Sequence, residues 1–189
     1  YNFHDKYILS ASLRRDGSSR FSAENRWGNF ASASAGWRLS GEDFARNALP
    51  SFIDDLKIRG SVGTLGNTED IGNYEYQAFI NTFSRYVLGT DQRVAPGSIQ
   101  RSMVNTDIRW ESTQTTNIGL DLSLFNHALQ VTVDYYVKRT SDILLNAPIP
   151  WTAGNAGGDP LVNIGSMQNK GFEFNIDYRK KVGGVDYKI

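Results

Sequence analysis

The sequence predicts an all-β chain, a transmembrane antiparallel β-barrel segment belonging to a larger barrel. Three observations carry that prediction. Apolar and polar residues alternate with period two along most of the chain. Charge sits deep inside the polar face. The connections are brief at one end of the strands and long at the other.

The alternation is clearest over 117–124, where Ile118, Leu120, Leu122 and Leu124 oppose Asn117, Gly119, Asp121 and Ser123. After the polar break Asn126-His127 it resumes, with Leu129, Val131, Val133, Tyr135 and Val137 set against Gln130, Thr132, Asp134, Tyr136 and Lys138. Two such runs across a tight turn form a hairpin. Earlier, Tyr7, Leu9, Ala11 and Leu13 oppose Ser10, Ser12 and Arg14, with Ile8 out of pattern. Ala31, Ala33, Ala35, Trp37 and Leu39 oppose Ser32, Ser34, Gly36 and Arg38. Leu56, Ile58, Gly60 and Val62 alternate with Lys57, Arg59, Ser61 and Gly63, and Phe172, Phe174, Ile176 and Tyr178 with Glu173, Asn175 and Asp177. A last strand opens at Val185. The expectation is a meander of about seven strands with no long helix.

Connections Phe125 to Ala128 and Lys180 to Gly184 read as short turns, and Gly66 to Arg109 and Asp142 to Asn163 as long loops. Bacterial barrels show this asymmetry, with short periplasmic turns and long extracellular loops. Ser40 to Asp55 breaks the rule, being long on the short-turn side; Phe44, Ala45, Ala48 and Leu49 suggest a short helix there, ended by Pro50. Strands of about ten residues exceed the usual five or six. Aromatics near strand ends (Trp27, Trp37, Trp110, Phe125, Tyr135, Tyr178) suit interfacial girdles. The same alternation also fits a soluble β-sandwich with one wet face, which stays open as a carbohydrate-binding alternative.

The 189 residues carry 20 Lys plus Arg against 20 Asp plus Glu, so no net charge argues for nucleic acid. With no cysteine, disulfides, thiolate metal sites and Cys nucleophiles are excluded. Strand pattern begins at Tyr1 without a leader and stops in mid-alternation at Ile189, which predicts a piece of a longer chain. His4 and His127 are isolated, without ligand spacing. Asp54-Asp55 and Glu69-Asp70 are adjacent carboxylates in connections, not a pair fixed across a cleft. Gly154-Asn155-Ala156-Gly157-Gly158 lacks the strand-to-helix setting of a phosphate loop, and Arg14 to Arg20 reads as a strand end with a turn at Asp16-Gly17. No enzyme signature and no cofactor motif emerges.

Several stretches, in order, resemble the SusC/RagA family of TonB-linked outer-membrane transporters. They are 5–21 (Asp5-Lys6-Tyr7 through Arg20-Phe21), Asn25-Arg26-Trp27-Gly28, Ser34-Ala35-Gly36-Trp37-Arg38-Leu39, Leu56 to Gly63 with Gly66-Asn67, Trp110-Glu111-Ser112-Thr113, Asn117 to Asp121, Asp134-Tyr135-Tyr136, Thr140 to Leu145, and Asn163 to Glu173. Each piece is weakly specific; the ordered set is highly specific. The resemblance spans nearly the whole chain, 1–189, and implies part of a 22-stranded barrel in the outer membrane of a Bacteroidota-like Gram-negative cell. The plug domain, TonB contact and signal peptide would lie outside it. It further implies import of oligosaccharides or peptides, TonB as energy source and a SusD-like surface lipoprotein as partner. A siderophore receptor of similar shape is the other family-level alternative.

On that footing Lys57, Arg59, Asp121, Asp134, Lys138, Glu173 and Asp177 are expected to face the lumen or anchor the plug. Tyr86 and Trp151, aromatics in long loops, are the candidates for substrate or partner contact.

Overall fold

The computed structural model describes residues 1–69, 71–100, 102–153, 158–182 and 185–188. Ten strands follow one another: β1 (Asn2–Phe3), β2 (Tyr7–Gly17), β3 (Trp27–Arg38), β4 (Ile53–Asn67), β5 (Ile80–Leu88), β6 (Arg93–Gln100), β7 (Glu111–Leu124), β8 (Leu129–Asn146), β9 (Leu161–Val182) and β10 (Val185–Lys188). Among the described residues, eight form one sheet in the order β1-β2-β3-β4-β7-β8-β9-β10, all pairs antiparallel, and β5 and β6 pair only with each other. The seven expected strands are all present. The short β1 and the β5–β6 hairpin are additional.

Register turns the alternation into rows that cross the sheet. Tyr7, Trp37, Ile58, Leu120, Val133 and Phe174 form one row on the apolar face, and Leu9, Ala35, Gly60, Ile118, Tyr135 and Phe172 the next. On the other face run Ile8, Gly36, Arg59, Gly119, Asp134 and Glu173, and beside them Ser10, Ser34, Ser61, Asn117, Tyr136 and Gly171. A one-residue slip would exchange the faces, so this contrast fixes the register.

No second sheet covers the apolar face among the described residues, and 13532 Å² of surface is accessible. A self-contained globular chain of 21.1 kDa exposes about 9,000 Å². That excess removes the sandwich alternative, which needs the apolar face buried.

The short-turn end is laced. Between β3 and β4 lie a 3-10 turn (Leu39–Gly41) and a helix, α1 (Asp43–Ala48), at the place the sequence suggested. Glu42 between them accepts hydrogen bonds from the Tyr7 hydroxyl (2.6 Å), Lys6 Nζ (3.1 Å) and Trp37 Nε1 (3.3 Å). The bond from Tyr7, then that from Lys6, holds the Glu42 carboxyl below its ordinary range. Asp55 takes Arg38 Nε at 2.8 Å and the Ser40 hydroxyl. The β7–β8 turn places Phe125, Asn126 and His127 at positive φ, a strained geometry for residues with side chains. Its neighbours hold it there: Phe52 O accepts Phe125 N–H at 2.9 Å, Asp54 accepts His127 N–H at 2.9 Å, and Phe52 stacks on Phe125.

At the opposite end several expectations shift. β2 runs through Gly17, so Asp16-Gly17 form no turn; Gly17 lies beneath the Trp27 ring, where an added Cβ would come within 2.8 Å. β8 continues to Asn146 and β9 starts at Leu161, shortening the loop expected from Asp142 to Asn163. Back at the short-turn end, β9 runs past Lys180 to Val182, and Gly183-Gly184 lie outside the described residues, as do Asp70 and 154–157 of the glycine cluster. Trp110 joins no girdle. It stacks on Phe21 (5.0 Å) and meets Phe30 edge-on (5.5 Å).

Candidate functional site: a polar wall and a laced loop end

Four of the predicted polar residues are brought together. Arg59 on β4 reaches across β7, donating Nη2 to Asp134 Oδ2 on β8 at 2.6 Å and Nε to Asp121 at 3.3 Å. Lys57 Nζ stands 3.1 Å from the same Asp121. Gly119 makes the reach possible: a Cβ there would lie 2.6 Å from both Arg59 Cζ and Asp134 Oδ1. Two cations thus face two anions, and Asp134 is only 8% exposed. The charges pair with one another, which makes the cluster a wall rather than a receptor for a charged ligand, while Asp134 Oδ1 stays buried without a hydrogen-bond partner among the described residues. Lys138, Glu173 and Asp177 share this face by register but join no ion pair among the described residues. Asp177 accepts from Asn175 Nδ2 at 2.7 Å.

The long connections are tied together at their bases. Phe21, Ile71, Ile108 and Leu144 form a buried cluster, with Tyr76, Trp110 and Leu161 packed on it. Around it, polar side chains close the backbone. Buried Glu111 accepts Leu144 N–H (2.8 Å) and Asn67 Nδ2 (2.9 Å). Asn163 accepts Arg109 N–H (2.9 Å) and donates to the carbonyls of Arg109 and Asp142 (both 2.8 Å), doing with one amide what a neighbouring strand would do. Arg20 donates to Thr68 O, Trp110 Nε1 to Asn25 O, and Asn25 to Asp107. Three connections, 18–26, 68–110 and 147–160, therefore share one scaffold at their bases.

Sequence reasoning missed this scaffold. Glu111 and Asn163 lie within motifs already noted, Trp110-Glu111-Ser112-Thr113 and the run from Asn163, but nothing local reveals that their side chains bond to backbone. Phe21 carries no periodic signal at all. The two proposed contact aromatics are both free-standing: Tyr86 on β5 is 71% exposed, and Trp151, in a 3-10 turn (Trp151–Ala153), 90%. The structure does not join them. Between the β4–β7 and β8–β9 connections lies a cavity of ≈ 430 Å³, which neither Tyr86 nor Trp151 lines.

Comparison with known proteins agrees with the geometry. The family described as "TonB dependent receptor-like, beta-barrel" matches residues 1–188. TonB-dependent receptor P39 of Formosa agariphila is 42% identical over 176 residues, covering 93% of this chain and 16% of its own length. TonB-dependent receptor SusC of Bacteroides thetaiotaomicron is 32% identical over 180 residues, covering 94% and 17%. Among solved structures, the RagAB peptide transporter superposes with a TM-score of 0.78 at 31% identity, over 96% of this chain and 19% of that one. The "open-open" RagAB peptide importer gives 0.79 at 30%, over 96% and 19%. The chain spans less than a fifth of the length of these relatives. A two-faced antiparallel meander, laced at its turns and capped by long loops, is the wall of a barrel, and the chain belongs to the TonB-dependent receptor β-barrel family.

Proposed function

We propose that this chain is wall and extracellular loop of an outer-membrane importer of the SusC/RagA type. The importer draws energy through TonB, works with a SusD-like surface lipoprotein and carries oligosaccharides, with peptides as the second reading. The observation that supports it best is the two-faced sheet: continuous apolar rows on one side, mutually paired charges on the other. Such a sheet is stable where one face meets lipid and the other water. Trp27 and Trp37 stand ten positions apart on the apolar face of β3. At about 3.3 Å per residue and a tilt of roughly 40°, they are separated by about 25 Å along the membrane normal, the height of a barrel's apolar band. Phe44, Phe52 and Phe125 thicken the belt at the Trp37 end.

On this reading Lys57, Arg59, Asp121, Asp134, Lys138, Glu173 and Asp177 face the lumen and the plug. Leu120, Leu122, Val131 and Val133 face lipid. The loop end is extracellular, and the β5–β6 hairpin meets the lipoprotein. Peptides remain the second reading because the RagAB neighbours are peptide importers. A siderophore receptor has no such observation behind it.

The test exchanges the faces. Leu120→Arg puts a cation into lipid, costing about 2–4 kcal/mol near the midplane, while Asp121→Asn stays in water. Heat-modifiable migration of the full-length protein in outer membranes should be lost for the first and kept for the second. Equal folding of the two overturns the assignment of faces.

A further inference from the structure

We propose that the ≈ 430 Å³ cavity between the β4–β7 and β8–β9 connections is a subsite for a neutral saccharide, recognised through its hydroxyl groups. The proposal rests on the import reading above and names the class of cargo. The volume falls within the roughly 300–1,000 Å³ of small-molecule sites.

The lining decides the chemistry. Asn73, Gln77, Asn105 and Asn146 bring four carboxamides, and Glu75 and Asp159 two carboxylates; Lys, Arg and His are absent from the described lining. A carboxamide both donates and accepts, as a sugar hydroxyl does, and a carboxylate accepts from hydroxyls. Uronate or sulfate groups would meet two carboxylates and no described cation. A peptide ammonium would find the carboxylates but leave most of the amides without a complementary group. Phe79 on the same wall offers an apolar ring face for a pyranose.

The cavity is built rather than incidental. Leu161, in its lining, packs against the buried loop-end cluster, as does Tyr76 between the lining residues Glu75 and Gln77, and Asn105 Nδ2 donates to Leu161 O across the junction at 3.2 Å. Asp159 is held by Ile149 N–H at 3.1 Å, and Pro160 O accepts Ala147 N–H at 3.0 Å. Yet the side chains of Asn73, Glu75 and Asn146 have no protein hydrogen-bond partner among the described residues. Fixed walls with free polar groups are what a ligand site requires.

The test uses the full-length transporter in detergent and three probe pools: neutral gluco-, manno- and xylo-hexasaccharides, uronate and sulfated hexasaccharides, and a tryptic digest of casein. Binding is read by native mass spectrometry and titration. We expect the neutral pool to bind, and Asn73→Lys and Asn146→Ala each to weaken it at least tenfold, both variants keeping heat-modifiable migration. Binding of the acidic or peptide pool in place of the neutral one overturns the class while sparing the import reading. Neutral binding that both folded variants leave unchanged overturns the location. Silence from all three pools overturns the import reading and this inference together.

Discussion

Residues 68–110 leave the sheet as a single connection, yet their two parts are held in opposite ways. At the base, Ile71 and Ile108 are buried with Phe21 and Leu144, and Arg109 is clasped by Asn163. At the tip, β5 and β6 pair only with each other, and Phe83 is 90% exposed. A two-stranded hairpin alone in water is marginal at best. The base is thus stabilised by the barrel, while the tip presents Phe79, Ile80, Phe83, Tyr86, Val87 and Leu88 with little cover. Loop bases of this kind set position; tips of this kind await a second surface.

The largest test of that contrast removes the keystone of the base. Phe21 is 0% exposed and stacks on Trp110. Phe21→Ala leaves a cavity where three connections meet and should lower stability by about 3–5 kcal/mol. Chemical unfolding of the full-length protein in detergent reads this, and limited proteolysis should locate new cleavage within 18–26 and 68–79. A loss below about 1 kcal/mol means that the base is not the scaffold described.

A smaller effect is expected at Asn163, whose amide makes three bonds to backbone. Asn163→Ala strands the polar groups of Arg109 and should cost about 1–3 kcal/mol. Hydrogen exchange at Arg109 should quicken while exchange over 117–124 of β7 and 129–137 of β8 stays slow. Equal acceleration throughout those strands would show that Asn163 supports the whole sheet rather than the loop base.

The same contrast explains what was legible in the sequence. Where period-two alternation held, as in Ile118 to Leu124 and Leu129 to Val137, register and faces followed, because one residue of slip reverses every side chain. The charged rows came with it: Lys57, Arg59, Asp121 and Asp134 fell on one face because alternation placed them there. Their mutual pairing was not legible, since it depends on Gly119 lying opposite Asp134 two strands away from Lys57 and Arg59. The loop-end scaffold was hidden for the same reason. Phe21, Ile71, Ile108 and Leu144 are scattered in sequence and meet only through the sheet. The β5–β6 hairpin was masked by Pro96 and by the irregular register between Asn81 and Ser84. Glu42 shows how far one residue in an ordinary connection can matter: its carboxyl gathers Tyr7, Lys6 and Trp37 from separate elements.

The smallest effect on stability, and the sharpest on function, belongs to the tip. Phe83→Ser together with Tyr86→Ser exchanges two exposed rings for hydroxyls. Neither ring is in the buried loop-end cluster, so unfolding of the full-length protein should shift by less than about 0.5 kcal/mol. If the hairpin docks on the surface lipoprotein, those rings are candidate anchors, because exposed aromatics carry much of the energy of such contacts. Co-purification of the lipoprotein should then fall at least tenfold while barrel assembly is untouched. Removing the whole tip, residues 80–100, and rejoining its ends with a short Gly-Ser bridge should have the same result. That cut spares Tyr76, which packs on the core, so it leaves the base intact. Undiminished association and growth on the imported nutrient after either change would assign the hairpin to extra strand above the membrane. An effect of the deletion without one from the paired substitutions would place the contact on backbone edges instead of on the two rings.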